Sequence, residues 1–215
     1  MSAFHADALL FDMDGTLIDS TRAVDAAWIG LCEAFGVNAE LVLPVVHGVP
    51  AHVTIAKFWP ESERTAAFEW IEAAECALLD DIVPIPGARE LSHQLSESGA
   101  AWGIVTSATP PLARARLEAA GIAMPEMLVT ADLVSRGKPD PEPFLLGASR
   151  LGVDPRRTIV VEDAPAGIRA GRAAGAHVVV RGRQGGEDAN GLLIIDDYLG
   201  TTFEQFTPEI RGRWN

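Results

Sequence analysis

The chain has 215 residues, 48% hydrophobic and 22% charged, the balance of an ordinary soluble globule that can bury a core as one large or two modest domains. Its net charge of −13 argues against a nucleic acid or an anionic membrane as partner, so an anionic ligand would need a local cation. No apolar run approaches the ~18 residues of a membrane span and the first residues lack the basic and apolar regions of a secretion signal, so the expected compartment is the cytoplasm.

The first expected element is a strand. Ala8, Leu9, Leu10 and Phe11 form a short apolar run suited to burial on both faces of a sheet, and it ends in Asp12, Met13, Asp14 and Gly15. Residues i and i+2 of an extended chain project the same way, so the two carboxylates can converge on one ligand or metal while Gly15 turns the chain away. A plainer reading makes Asp14-Gly15 only a turn and Asp12 a helix cap. Spacing excludes a calcium loop, because an EF-hand beginning at Asp12 would need a glycine and a glutamate where Leu17 and Ala23 stand.

Residues 20–83 read as helical. Val24, Ala27, Trp28, Leu31 and Phe35 fall at helical spacing up to Gly36, and Phe68, Ile71, Ala74 and Leu78 make a second stripe behind Ser62, a candidate cap. Trp28, Phe35, Phe68 and Trp70 suit a core better than a ligand platform. Cys32 and Cys76 read as buried thiols, too few for a disulfide framework or a zinc site. Pro84-Ile85-Pro86-Gly87 then makes a stiff and afterwards flexible border suited to a hinge.

Beyond that border strands and helices alternate. Trp102 to Thr106, Met127 to Thr130, Thr158 to Asp163, His177 to Val180 and, more weakly, Leu192 to Ile195 are strand-like. Pro110 to Ala120, closed by Gly121, and the small-residue run Ala166 to Ala174 are helix-like. Such alternation predicts an α/β fold, a parallel sheet with helices on both faces, in which ligands bind beyond the carboxyl ends of the strands.

Polar residues gather at those ends. Asp12 and Asp14 end the first strand, Thr106 and Ser107 the second, and Glu162 and Asp163 a later one, while Lys138 stands in the loop Arg136 to Pro141. Carboxylates from two strands can hold a hard cation such as Mg2+, and the lysine and hydroxyls supply what a phosphate dianion needs. Taken singly, each has a plainer use: Thr106, Ser107 and the Glu162-Asp163 pair could cap helices, and Lys138 could be solvated. There is no P-loop, since Asp132 replaces the required glycine and Pro139 the hydroxyl residue, and neither a Gly-x-Ser-x-Gly nor a His-Glu-x-x-His motif occurs.

These residues carry a family resemblance. Phe11-Asp12-Met13-Asp14-Gly15-Thr16-Leu17, Val105-Thr106-Ser107, Gly137-Lys138-Pro139 and Val161-Glu162-Asp163-Ala164-Pro165-Ala166-Gly167-Ile168 resemble, in order, the four signatures of the haloacid dehalogenase-like phosphatases, across essentially the whole chain. The resemblance implies a Rossmann-like three-layer parallel-sheet core, residues 1–17 and 85–215, with residues 18–84 inserted as a mobile α-helical cap. It implies Asp12 as the nucleophile that forms an aspartyl-phosphate, and Asp14 as the acid that protonates the leaving alkoxide and then activates water. Thr106, Ser107 and Lys138 would hold phosphoryl oxygens, the lysine also lowering the charge around Asp12. Mg2+ would be held by Asp12, the main-chain carbonyl of Asp14 and Asp163, with help from Glu162.

Within the family, His47-Gly48 with Thr54 to Phe58, Gly137 to Phe144 and Glu162 to Gly175 resemble the glycerol-phosphate, deoxyglucose-phosphate and hexose-phosphate phosphatases. The intact Asp12/Asp14 pair differs from the dehalogenase and phosphonate-cleaving branches, which lack the second aspartate. The β-phosphoglucomutases carry a histidine where Val24 stands and an arginine near Ala51. Glycerol-phosphate phosphatases often carry an arginine after the His-Gly pair, where Val49, Pro50 and Ala51 stand, so the resemblance leaves the substrate open. The surrounding glycine and proline, and the likeness of this loop to the family's specificity loop, make His47, His52 and Lys57 the insertion's candidates for facing substrate. The plainer reading is a helix-capping histidine and a solvated lysine. The expected function is a Mg2+-dependent phosphatase of small sugar or polyol monophosphates, its partner a small phosphorylated metabolite, working as a monomer with a dimer as the alternative. The rivals are a β-phosphoglucomutase-like phosphomutase and a catalytically silent sugar-phosphate-binding regulator, and intact Asp12, Asp14, Lys138 and Asp163 weigh against the regulator.

Overall fold

The computed structural model describes residues 2–206 and 209–214. Strand β1 (Ser2–Ala6) leads into β2 (Ala8–Phe11), every residue of which is buried, as its unbroken apolar run requires. The chain then turns tightly, the Met13 carbonyl accepting from the amides of Leu17 and Ile18 at 2.8 and 3.1 Å, and passes through the two-residue strand β3 (Ile18–Asp19). Helices α1 (Thr21–Phe35), α2 (Ala39–Val42), α3 (Ala51–Phe58) and α4 (Arg64–Ala77) follow. Strand β4 (Val83–Pro84) then returns antiparallel to β3, with Ile18 opposite Pro84 and Asp19 opposite Val83. The two connections between sheet and helices therefore run side by side.

The helical segment has its own core. Val24, Ala27, Trp28 and Leu31 of α1 meet Ile55, Trp59, Ala67 and Ile71, with the Trp28 and Trp59 rings edge to face at 6.3 Å. Three local expectations fail here. Ser62 lies inside a 3-10 turn, Glu61–Glu63, and caps nothing. That turn is ordered instead by Arg64, which donates to the carbonyls of Trp59 and Ala56 at the end of α3, at 3.1 and 3.0 Å. Leu78 falls beyond the end of α4 and is exposed, and Cys76, unlike Cys32, is only half-buried, because the inward face of α4 is taken by Ala67, Ile71 and Glu75.

After β4 come α5 (Ala88–Ser98), β5 (Trp102–Val105), α6 (Pro110–Ala120), β6 (Met127–Val129), α7 (Glu142–Leu151), β7 (Thr158–Glu162), α8 (Pro165–Ala173), β8 (His177–Arg181) and β9 (Leu193–Ile195). A six-stranded parallel sheet results, in the order β6-β5-β2-β7-β8-β9, with Phe11 paired to Ile104 on one side and Val161 on the other. Alternation along the strands fills two layers. Leu9, Phe11, Ile104 and Val161 pack with Leu91, Leu95, Leu112 and Leu117 of α5 and α6, whereas Leu10, Val105 and Val160 pack with Phe144 and Ile168 of α7 and α8. This is a Rossmann-like three-layer α/β fold, and its winding reverses at β2, where such sheets open a crevice.

Thr106, Thr130 and Asp163, the last residues of the expected strands, each fall one residue past the end of the observed strand. A second sheet was not expected from the pattern of hydrophobicity: β10 (Thr202–Phe206) and β11 (Glu209–Trp214) form an antiparallel pair, and β11 also pairs with β1, Ser2 facing Trp214 and Ala6 facing Ile210. Ile210 and Trp214 join the α5/α6-side core beside Tyr198, whose hydroxyl donates to the Thr16 carbonyl at 3.1 Å. Among the described residues no helix is long and apolar enough to cross a membrane.

Candidate active site

Beyond the carboxyl ends of β2 and β7 a lysine is buried among carboxylates. Lys138 Nζ donates to Asp12 Oδ1 at 2.5 Å and to the Val105 carbonyl at 3.0 Å, and lies 2.8 Å from Glu162 Oε1. Its loop is held by Glu142 at the start of α7, whose carboxylate accepts from the amides of Ser135 and Arg136 at 2.7 and 3.1 Å. The other Glu162 oxygen accepts from the amides of Asp163 and Ala164, which bends the chain ahead of α8 but does not cap it, since the cap position is Ala164 and no side chain bonds the first helical amides. Two glycines make room. A Cβ at Gly167 would lie 1.5 Å from Glu162 Oε1, and one at Gly15, where φ is +80°, would lie 2.2 Å from Asp163 Oδ2.

The cluster holds more negative charge than Lys138 balances. Burial pushes the Asp12 carboxyl well above the ordinary range, the charges of Glu162 and Asp163 push the same way, and Lys138 opposes them. Asp163 is pushed up to about 7 by burial and by Glu162. Burial pulls Lys138 down, but Asp12 and Glu162 outweigh it and keep the ammonium charged. Asp12, Glu162 and Asp163 each offer an oxygen within 4.8 Å of the others. Hard oxygen donors short of positive charge fit a divalent cation such as Mg2+. Both Glu162 oxygens are already engaged, which leaves Asp12 and Asp163 the freer carboxylates.

Asp14 is placed differently from its neighbour. Its carboxylate accepts from Arg116 Nη1 of α6 at 3.0 Å, and Arg116 Nη2 lies 3.3 Å from Glu75 Oε1 of α4. Asp14 thus brings no carboxylate oxygen to the Asp12–Glu162–Asp163 group, and only its main chain is left for the metal role expected of it. Neither Arg116 nor Glu75 was singled out from the sequence. The signal was present: Leu112, Ala113, Leu117 and Ala120 make an inward stripe that Arg116 interrupts, and Glu75 follows Ala67 and Ile71 at four-residue steps.

A cavity of about 360 Å3 lies against Asp12 and the Asp14–Arg116–Glu75 chain. Asp12, Asp14, Thr106 and Ser107 line one end, and Val24, Trp28, Phe68, Ile71, Glu72 and Glu75 of α1 and α4 the other. Trp28 and Phe68 are therefore both core and cavity wall. Thr106 Oγ1 accepts from the Ala108 amide at 3.1 Å, bracing its own turn rather than capping α6. His47 and His52 line the cavity, His47 with Nε2 3.0 Å from Asp25 Oδ1 of α1. Lys57 does not line it. Thr54 and Ile55 take the buried face of α3, and Lys57, some 200° around the helix from Ile55, is exposed with Nζ 5.0 Å from the centre of the Phe58 ring.

Residues 6–175 match the family described as haloacid dehalogenase-like hydrolase. The chain is similar to hexitol phosphatase A of Escherichia coli (strain K12), 44% identical over 173 residues that cover 79% of this chain and 80% of that one. It is also similar to validoxylamine A 7'-phosphate phosphatase of Streptomyces hygroscopicus subsp. limoneus, 39% identical over 94% of this chain and 96% of the relative. Among solved structures, a hydrolase from Pseudomonas syringae superposes with a TM-score of 0.78 at 28% identity, covering 89% of this chain and 94% of that one. With the signature residues brought together at the reversal point of a parallel sheet, the chain belongs to the haloacid dehalogenase-like hydrolases.

Proposed function

We propose that the protein is a Mg2+-dependent phosphatase that hydrolyses small sugar or polyol phosphate monoesters through an aspartyl-phosphate on Asp12. The observation that carries this reading is the buried Asp12–Lys138–Glu162 cluster, with Asp163 beside it, whose Asp12 faces a cavity that the helical segment lines at its other end. The relatives named for hexitol and validoxylamine 7'-phosphate support the substrate class.

Asp12 attacks phosphorus in line, the bond from phosphorus to the alcohol oxygen breaks, and that oxygen leaves with the electron pair and takes a proton from Asp14. Water then gives a proton to Asp14 and attacks phosphorus, the bond to Asp12 breaks, and inorganic phosphate departs. Lys138, fixed by its three partners, and the Thr106 and Ser107 hydroxyls hold phosphoryl oxygens. Asp12, Asp163 and the main-chain carbonyl of Asp14 would hold Mg2+, with Glu162 bracing Lys138. When bound, the ion supplies positive charge between an anionic nucleophile and an anionic substrate.

The helical segment acts as a mobile cap hinged at the β3–β4 pair, and its walls select the alcohol. Val24, Trp28, Phe68 and Ile71 offer apolar contact and Glu72, His47 and His52 polar contact, which suits an uncharged polyol or sugar. Val24 and Ala51 line the cavity where the resemblance puts the mutases' histidine and arginine, which favours hydrolysis over phosphoryl transfer between sugar hydroxyls. A phosphate-release screen over polyol, sugar and aryl phosphates with Mg2+ tests the reading. Turnover of neutral polyol or sugar phosphates is expected, and no release from any phosphomonoester would refute it.

A further inference from the structure

Arg116 is the unusual side chain of the cavity. It is 3% exposed, sits on the core helix α6, and shares one guanidinium between two carboxylates from different parts of the fold. One is Asp14, directly after β2, and the other is Glu75 on α4, itself 7% exposed. Burial pulls the Arg116 pKa down, but Asp14 and Glu75 outweigh it, so the cation persists. The bonding is unfinished: Nε and Nη2 are buried with no acceptor in hydrogen-bond geometry among the described residues, although Glu75 Oε1 stands only 3.3 Å from Nη2. A buried guanidinium with unmade bonds gains when its second carboxylate moves closer.

We propose that Arg116 is a positioning residue that ties the orientation of the Asp14 carboxylate to the seating of α4 through Glu75. The inference rests on the phosphatase reading, in which Asp14 protonates the leaving alcohol and α4 belongs to the cap. When α4 settles on the core, Glu75 draws Nη2 into full hydrogen-bond geometry, and Nη1, rigidly joined in the same planar group, sets the Asp14 oxygen. Closure over a substrate and alignment of the acid then become one event. Without the tie, Asp14 remains present but finds the leaving oxygen less often, and misplacements of this kind slow enzymes by up to about a hundredfold.

The test compares Arg116→Met, Arg116→Lys, Glu75→Gln and the Arg116→Met/Glu75→Gln double variant. Single-turnover release of the alcohol is followed from a polyol phosphate, which needs acid help, and from p-nitrophenyl phosphate, whose leaving group needs little. Arg116→Met is expected to slow polyol release by about tenfold or more while p-nitrophenol release changes less than about threefold. Glu75→Gln should show a smaller change in the same direction, and Arg116→Lys should fail to restore the wild-type ratio because a point charge cannot bridge both carboxylates. In the double variant the loss should be no greater than in Arg116→Met alone, since both substitutions break one chain of contacts. An unchanged ratio in active variants, equal losses on both substrates, or fully additive losses would overturn the proposal. Should Arg116→Met not fold, the ratio in Glu75→Gln decides alone. A wild-type protein that releases phosphate from neither substrate would refute the phosphatase reading and this inference with it, whereas an active wild type with an unmoved ratio refutes only the inference.

Discussion

Replacing Lys138 by methionine keeps most of the apolar stem and removes the ammonium. The bonds to Asp12 at 2.5 Å and to the Val105 carbonyl at 3.0 Å disappear, as does the contact with Glu162 at 2.8 Å. Removing one partner of a buried ion pair costs about 3–5 kcal/mol, because the remaining charge stays buried without compensation. Here part of the cost is avoidable, since burial already favours a proton on Asp12. A carboxyl whose folded pKa is raised binds more protons in the native than in the unfolded state, so its contribution falls as pH climbs from its unfolded to its folded value. The destabilisation of Lys138→Met should therefore approach about 4 kcal/mol at pH 8 and be clearly smaller at pH 5, read from denaturant unfolding at the two pH values. Turnover should fall by about a hundredfold to a thousandfold, roughly 3–4 kcal/mol of barrier, as a donor to the phosphoryl oxygens is lost. Near-normal phosphate release, or a stability loss identical at both pH values, would refute the reasoning.

Asp12→Asn is nearly isosteric and should lower phosphate release more than about a thousandfold with a thermal midpoint close to wild type, and release within about tenfold would remove Asp12 as nucleophile. Because the native state holds the Asp163 proton up to about pH 7 against an ordinary value of 3.8, its stabilisation is complete below that ordinary value and lost as pH rises through 7. Mg2+, which needs ionised ligands, should accordingly raise the melting temperature more at pH 8 than at pH 5, and an equal shift at both would count against the site. Gly15→Ala, whose Cβ would stand 2.2 Å from Asp163 Oδ2, should raise the Mg2+ concentration needed for half-maximal activity by about tenfold or more, and an unmoved titration would exclude the contact. Glu72, Glu75 and Asp132 line the cavity, so a sugar phosphate carrying a second anionic group should turn over at least about tenfold less efficiently than its neutral counterpart. Equal kcat/KM for such a matched pair would contradict that electrostatic reading.

The amino-acid sequence by itself determined the six strands of the parallel sheet and the sheet's chemical edge, while α5 and α7 were not read from it. The run Ala8 to Phe11 can be buried only as a strand covered on both faces, and the polar residues directly after it, like Glu162 and Asp163 at the end of β7, must emerge at the edge of the ladder. Gly36 and Gly121 end their helices at φ +67° and +66°, as their places behind apolar stripes foretold. These are consequences of contacts near in the chain. The pairing of β1 with β11 was not legible, because it joins residues 2–6 to residues 210–214 and a short strand at a sheet's edge carries no partner label. The same limit hid the Asp14–Arg116–Glu75 chain: a charge inside an apolar stripe shows that a partner exists, but Arg116 and Asp14 are 102 positions apart. Nearness in the chain to His52 says nothing about helical phase, and a turn of some 140° separates His52 on the cavity wall from Lys57 in solvent. Which side chains meet was decided only when tertiary packing brought α4 and α6 together, since the charge balance of a buried group depends on neighbours that the local pattern does not contain.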